Sequence, residues 1–496
     1  MALTSTIAVE AMIDWGNDGA YAGTDDVSAY ARYPFTTRRG RASVNDEFGA
    51  GECRLRLRNN DGRFNPLYAS SPLYPNVVPG RPLRARATYN AVTYDLFQGR
   101  CAPGALTFDV DAEAEFTAYD AFEQWRLGRT NTAPQTSKRV DQIIGTILDD
   151  ISWPAGDRTL DTARETLDIF TNHNRLPLNA LQMAARQEME GGFWVGKNGY
   201  AVFRNRDYRS NQAALLTLTG IDGLAAELRQ EDLADQVRVA YTTITQDVAT
   251  TVIYTGPGSR KLAAGATTTW EVEFNGVGAA STTTPAIATD LIGNDQPDGS
   301  GTNKNAQLSV ASWTPYSGGG VLAVANADSS PVYLTTEQVR GIALIAGEAY
   351  VTATVASPLV AGQRVTRTLE FMQSQDKASW FASWLAHVRG TWQPRVTVDI
   401  VPDTDALMVT VLNAELWNRV TLADTGATWL SQISGDYIIE AIDLQILSPT
   451  FVRARWTLFS KDLSTASFFR ISGAAGGGAD YSVLGAATGA ADRISW

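Results

Sequence analysis

The sequence predicts a mainly β, multidomain α+β protein: two β-barrel domains, one α+β insertion and one β-sandwich insertion. Three observations predict it. Apolar residues alternate strictly with polar ones in many short runs, such as Cys53, Leu55 and Leu57 against Arg54, Arg56 and Arg58, and Leu83, Ala85 and Ala87 against Arg84 and Arg86. Helical periodicity is confined to a few stretches. A chain of 496 residues also exceeds what one hydrophobic core serves, which gives about three to four domains.

Residues 1–125 read as a small β-barrel or sandwich, taken as the first barrel domain, a series of short strands ending at Glu115–Asp120. Its longest connection, Asn59 to Gly80, is dense in turn residues. Asn60-Asp61-Gly62 supplies a tight turn, and Pro66, Pro72, Pro75 and Pro79 hold the chain extended without needing donors. Residues 126–215 form the α+β insertion. Val140, Ile143, Ile144, Ile147, Leu148 and Ile151 make a helical stripe halted by Pro154. A second helix starts near Pro177, carries Leu181, Ala184, Ala185 and Met189, and stops at Gly191-Gly192. A hairpin comes next over Phe193–Arg204, turning at Lys197-Asn198-Gly199.

Residues 216–250 and 345–462 read as a second, discontinuous barrel. Its strands include Gln236–Tyr241, Arg395–Ile400, Trp417–Leu422, Tyr437–Glu440 and Phe451–Leu458. One helix over 376–390 gathers Trp380, Phe381, Trp384, Leu385 and Val388 on a face. Between the two parts, 251–344 is rich in Thr, Ala, Gly, Ser and Asn without helical periodicity, which predicts a sandwich of immunoglobulin or fibronectin type. The chain then runs into a Gly-rich tail, 463–496, read as a flexible connector. Arg453-Ala454-Arg455-Trp456-Thr457 echoes Arg84-Ala85-Arg86-Ala87-Thr88, as a duplicated barrel would.

The chemistry of most enzymes is missing. Only His173 and His387 are present, far apart, and there is no Gly-x-Ser-x-Gly elbow, phosphate-cradling Gly-x-x-x-x-Gly-Lys or His-Glu-x-x-His. Neither an enzyme nor a cofactor is expected. The loop Asn294–Gly301 lacks the spaced ligands and closing glutamate of an EF-hand, so it reads as turn chemistry and not as a metal site. Cys53 and Cys101 are not at metal-binding spacing and are expected as free thiols of a chain made in a reducing cytoplasm. No signal peptide or membrane span is legible, so no stable membrane insertion is expected. A net charge of −12 argues against an autonomous nucleic-acid binder, yet allows nucleic acid to pass without sticking. The arginines that alternate on one face, Arg54, Arg56, Arg58, Arg84 and Arg86, are the candidate interface residues.

An Arg-Arg-Gly-Arg segment (Arg38–Arg41), an Asn-x-Asp-Gly-Arg-Phe-x-Pro turn (Asn59–Pro66), Ser-Pro-x-Tyr-Pro-Asn-Val (Ser71–Val77) and a strand ending Leu-Phe-x-Gly (Leu96–Gly99) occur in order. Together they resemble the amino-terminal region of tail hub proteins of long-tailed bacteriophages and prophages. The helix, Gly-Gly hairpin and Val-Phe-Arg-x-Arg strand (Val202–Arg206) resemble an insertion found in that family. The resemblance implies two hub-type, tube-like barrels per chain. It implies a homotrimer forming a pseudo-six-fold ring at the distal end of the virion tail, assembled in the host cytoplasm. Its implied partners are a distal tail or tail tube protein, a tape-measure protein and central tip or fibre proteins, with DNA passing through the channel without specific binding. The alternatives are a distal tail ring protein or a host-receptor-binding adhesin. Full length favours the hub over the first, and a short Gly-rich end disfavours the second. A cell-wall hydrolase would need a catalytic domain for which no segment is left.

Overall fold

In the computed structural model the described residues are 3–43, 46–108, 113–219, 223–227, 229–276, 278–355, 358–390, 394–423 and 433–461. The tail expected at 463–496 lies outside them.

Six strands come first: β1 (Ala8–Ile13), β2 (Ala31–Gly40), β3 (Glu52–Arg58), β4 (Pro82–Tyr89), β5 (Val92–Phe108) and β6 (Glu113–Tyr119). They pair antiparallel in the order β1-β4-β5-β6-β3-β2. The period-2 pattern explains the pairing: Leu55, Leu57, Leu83, Ala85, Ala87 and Ala118 are fully buried, and the residues between them face outward. The Asn59–Gly80 connection caps this half. Its Phe64 is fully buried between Trp15, Tyr30 and Phe116, while the Asn59 carboxamide oxygen accepts from the Phe64 amide at 2.9 Å. Cys53 and Cys101 are free, buried, and both opposite Ala118, one on each side of β6.

The next elements are α1 (Ala121–Gln124), β7 (Thr130–Arg139), α2 (Val140–Asp150), β8 (Arg158–Leu160), β9 (Thr166–Arg175), α3 (Pro177–Arg186), β10 (Gly192–Val195), β11 (Ala201–Arg204) and α4 (Tyr208–Asn211). β7 pairs β9, and β10, β11 and β8 make a small sheet under the helices. α3 stops at Arg186, short of the expected Gly191, because Met189 and Glu190 take positive φ of 51° and 98°. The Asn-Gly hairpin turns at Gly199, φ 84°.

Next come β12 (Ala214–Leu218), β13 (Leu224–Glu227) and β14 (Gln236–Gln246). The sandwich region holds β15 (Thr251–Thr255), β16 (Arg260–Leu262), β17 (Thr267–Glu273), β18 (Ala279–Thr282), β19 (Leu291–Asn294), β20 (Leu308–Tyr316), β21 (Gly319–Asn326) and the long β22 (Val332–Thr354). The last elements are β23 (Arg364–Leu369), α5 (Gln375–Gly390), β24 (Arg395–Ile400), α6 (Asp405–Asn413), β25 (Arg419–Leu422), β26 (Gly435–Ser448) and β27 (Phe451–Ser460).

Residues 216–250 and 345–462 divide between two sheets. β14 does not join the sheet of β24 to β27; it pairs with β22 and β23. The reason is amphipathic. Val237, Val239 and Tyr241 turn one apolar face toward Phe381, Trp384 and Leu385 of α5, which could not bury that stripe without a sheet beneath it. The remaining strands, β12, β13 and β24 to β27, continue the first sheet. β2 pairs antiparallel with β26 from Phe35↔Ile446 to Gly40↔Ala441, so two six-stranded halves become one twelve-stranded sheet. The echoed segments sit in unlike places, β27 beside the junction and β4 far from it.

In the sandwich region β22 pairs with β15, β16, β18 and β19 along its first half, and β17-β21-β20 packs across it over Val272, Leu291, Leu322, Val324, Leu334 and Val339. Its second half crosses into the β14 sheet, so the sandwich rides on a two-strand ribbon. It is also pinned to the α+β unit. The fully buried Ser317 amide donates to Thr132 C=O at 3.0 Å, and its hydroxyl donates to Asn172 C=O at 2.8 Å.

Candidate functional site: arginine faces and a buried ionic seam

The five candidate arginines point outward from the first half, but they do not form one row, because β5 and β6 separate β4 from β3. Acids of the same chain face most of them. Arg54 Nε lies 2.5 Å from Glu52, Arg56 Nε 3.5 Å from Glu115, and Arg86 Nε 2.8 Å from Asp95. Arg84 stands 3.8 Å from Glu10 with its guanidinium 4.4 Å from the Tyr21 ring centre, and Arg58 is directed at Tyr30, 6.0 Å away. The outer face therefore presents both signs of charge interleaved.

Sequence reading missed a second set of charges, which the fold buries. β2 and β26 meet where Gly40 adopts φ 117°; a Cβ there would stand 2.2 Å from the Glu440 carbonyl. Opposite it, the β26–β27 register slips between Ile439 and Ala441, and this bulge leaves Glu440 as the extra residue. Its fully buried carboxylate accepts from Arg41 Nε at 2.7 Å, Arg209 Nη2 at 2.8 Å and the Trp417 indole at 3.0 Å. Arg209 directs its other arm at Glu190, at 2.9 Å. One cluster thus joins the first half (Arg41), the second half (Glu440 and Trp417) and the α+β unit (Glu190 and Arg209).

Two flanking clusters repeat the device. Arg39 reaches Glu415 at 2.5 Å, and Lys197, at the turn of the β10–β11 hairpin, donates to Leu412 C=O at 2.7 Å. Deeper in, Arg206 pairs with Glu165, which also accepts from Lys377 of α5 at 2.6 Å. Burial pushes the Glu440 carboxyl upward, but Arg41 and Arg209 overcome it and hold it below the ordinary glutamate value. For Glu190 burial wins over Arg209 and Arg41, and the carboxyl is pushed up to about 7. Burial likewise brings Lys197 down to about 8. One signal was available in the sequence: Glu440 is a lone acid inside the apolar run Tyr437–Ile442.

Beside the seam a cleft of about 390 Å³ opens between the first half, α3, β23 and α5. Its lining combines the charged Arg41, Asp46, Glu47, Arg186, Glu190 and Arg367 with the apolar Phe48, Met189, Leu369, Phe381 and Leu385. Among the described residues no group of three or more His, Cys, Asp or Glu side chains could hold a metal ion, and Asp295 and Asp298 accept hydrogen bonds from Thr302 and Ser300 of their own loop. No described helix is long and apolar enough to cross a membrane. His173 stacks on Tyr316 at the sandwich contact, 5.3 Å between ring centres.

No family model and no curated protein matches the chain. The solved structures that resemble it are tail proteins of phages and prophages and components of type VI secretion systems. The prophage MuSo2 43 kDa tail protein from Shewanella oneidensis is 8% identical, covers 92% of this chain and 99% of its own, and superposes with a TM-score of 0.48. A tail protein from Neisseria meningitidis MC58 is 8% identical over 93% and 98%, also with a TM-score of 0.48. The E. coli c3393 protein, a type VI secretion component described as similar to the T4 tail proteins gp27 and gp5, is 9% identical over 92% and 75%, with a TM-score of 0.36. All three TM-scores lie below 0.5.

Proposed function

We propose that the chain is a structural hub of a phage-type tail, and that three copies close into a ring around the channel through which DNA leaves. The observation that carries this reading is the junction of two six-stranded halves into one sheet through β2 and β26. If the two six-stranded halves present comparable faces, three copies present six, and a three-fold object can meet a six-fold tube. The ordered motif set from Arg38 to Gly99 supports the same reading.

The buried seam fits a part that transmits load. Its ion pairs fix how the two halves and the α+β unit sit against one another, a task for which buried charge is better suited than for raw stability. Neighbours under this reading are a tail tube or distal tail ring on one side, central tip or fibre proteins on the other, and the tape-measure protein within. The distal end of the virion tail is its place, and its role needs no catalysis. Electron microscopy of assembled tails tests the proposal. A ring of three chains, each giving two halves, is expected; six chains each giving one half would overturn it and favour a distal tail ring protein.

A further inference from the structure

We infer that a groove across the junction of the two halves binds a phosphate group, inorganic or as a monoester. The inference is independent of the hub reading. The groove, of about 550 Å³, opens where β2, β26, β27 and β24 lie side by side. Register explains why it is there. Gly40, Ala441, Thr457 and Thr397 stand opposite one another across these four strands, and their short side chains make a low floor. Two residues along each strand, on the same face, comes a taller row of Arg38, Asp443, Arg455 and Asp399. Arg395 rises on the other side of Thr397.

Donors in this groove lack acceptors. Arg38 is exposed, and among the described residues no ion pair or hydrogen bond engages it, although it faces Glu52 and Asp443 in register. Arg395 has only Glu227, at 3.9 Å, and its buried Nε makes no hydrogen bond. Thr457 is only 8% exposed, yet among the described residues neither its hydroxyl nor that of Thr397 is hydrogen-bonded. The other charges are mostly committed. Glu52 is bound to Arg54 at 2.5 Å and Arg455 to Asp399 at 2.7 Å, while the seam holds the guanidiniums of Arg39 and Arg41. Asp443 is the one lining carboxylate left without an ion pair among the described residues. A buried hydroxyl without a partner is costly, and a ligand oxygen would satisfy it. Guanidiniums on two sides with hydroxyls beneath approach from three directions, which suits a tetrahedral oxyanion better than a planar carboxylate.

The test titrates the full-length chain into inorganic phosphate at constant ionic strength and follows the phosphorus resonance. Saturable broadening is expected. Affinity should fall about tenfold or more in Arg38→Gln/Arg395→Gln, as loss of two charged donors requires, and stay unchanged in Arg364→Gln, an exposed arginine of another sheet. Thr457→Val keeps shape and charge and should weaken binding about threefold, so it decides the matter if circular dichroism shows the double variant unfolded. Broadening that does not saturate, or an equal loss in Arg364→Gln, would overturn the inference in favour of general charge attraction. Acetate that displaces phosphate mole for mole would overturn it too, and would make the groove a carboxylate site.

Discussion

Glu440 is fully buried and accepts from three donors, so its value lies in what happens when it is removed. Glu440→Ala leaves Arg41 and Arg209 facing each other in a buried site, and should cost about 3–5 kcal/mol in urea unfolding. Glu190 carries the opposite sign. Its folded value, raised to about 7, means that the folded chain keeps a proton which the unfolded chain releases near the ordinary glutamate range. Its contribution is neutral in acid and becomes a cost as pH rises from the glutamate range through 7, on the order of a few kcal/mol. Glu190→Gln mimics the protonated acid. That variant should match the parent near pH 4.5 and be the more stable of the two at pH 8, a difference that denaturation at the two pH values reads directly. Arg41, Arg209, Glu440 and Arg367 all act on this carboxyl, so the sign holds only while that cluster is intact. None of this partnership was legible in the sequence: Arg41, Glu190, Arg209 and Glu440 lie far apart along the chain, and only the fold brings them together.

Strands of strict alternation were legible because a half-buried sheet imposes its period on local sequence. The α2 stripe and the Asn-Gly hairpin were legible for the same reason: each encodes its shape within a few residues. Three features were not. α6, capped by the Thr404 hydroxyl, is apolar on most sides, and its Val409, Thr410 and Val411 read locally as strand. The early stop of α3 depends on two positive φ values at non-glycine residues. The partner of β14 is set by α5, more than a hundred residues later. The junction itself tests one glycine. In Gly40→Ala the new methyl meets the Glu440 backbone at φ 117°, and the loss should be roughly 2–4 kcal/mol. The sandwich, by contrast, should be removable. Gln246 and Leu344 face each other across β14 and β22, so deleting 247–343 and joining the ends with Asn-Gly leaves a closed hairpin. The shortened chain should remain soluble and unfold cooperatively by circular dichroism. Aggregation would mean that the Ser317 pin to Asn172 and Thr132 holds up the α+β unit.

If copies of the chain close into the proposed ring, the fate of the outer arginines decides which surface faces the neighbouring chain. In the isolated chain Arg54, Arg56, Arg84 and Arg86 are met by Glu52, Glu115, Glu10 and Asp95, and these pairs are exposed enough to be worth about 0–1 kcal/mol each. Pairs that weak can exchange partners at little cost, and a guanidinium that meets a neighbouring chain's carboxylate gains a forked, charge-assisted bond that sets register. The same arginines turned toward the channel would grip phosphate and make DNA passage depend on salt. The net charge of −12 suits passage only if they are elsewhere. Replacing Arg54, Arg56 and Arg84 together by Gln separates the two fates. The isolated chain should keep its unfolding midpoint, because little stability rests on exposed pairs, while ring formation by sedimentation should fail. Parent rings should also loosen as salt is raised. If the triple variant forms rings normally and its tails release DNA faster, the arginines line the channel, and the subunit contact must be sought on the opposite edge of the sheet.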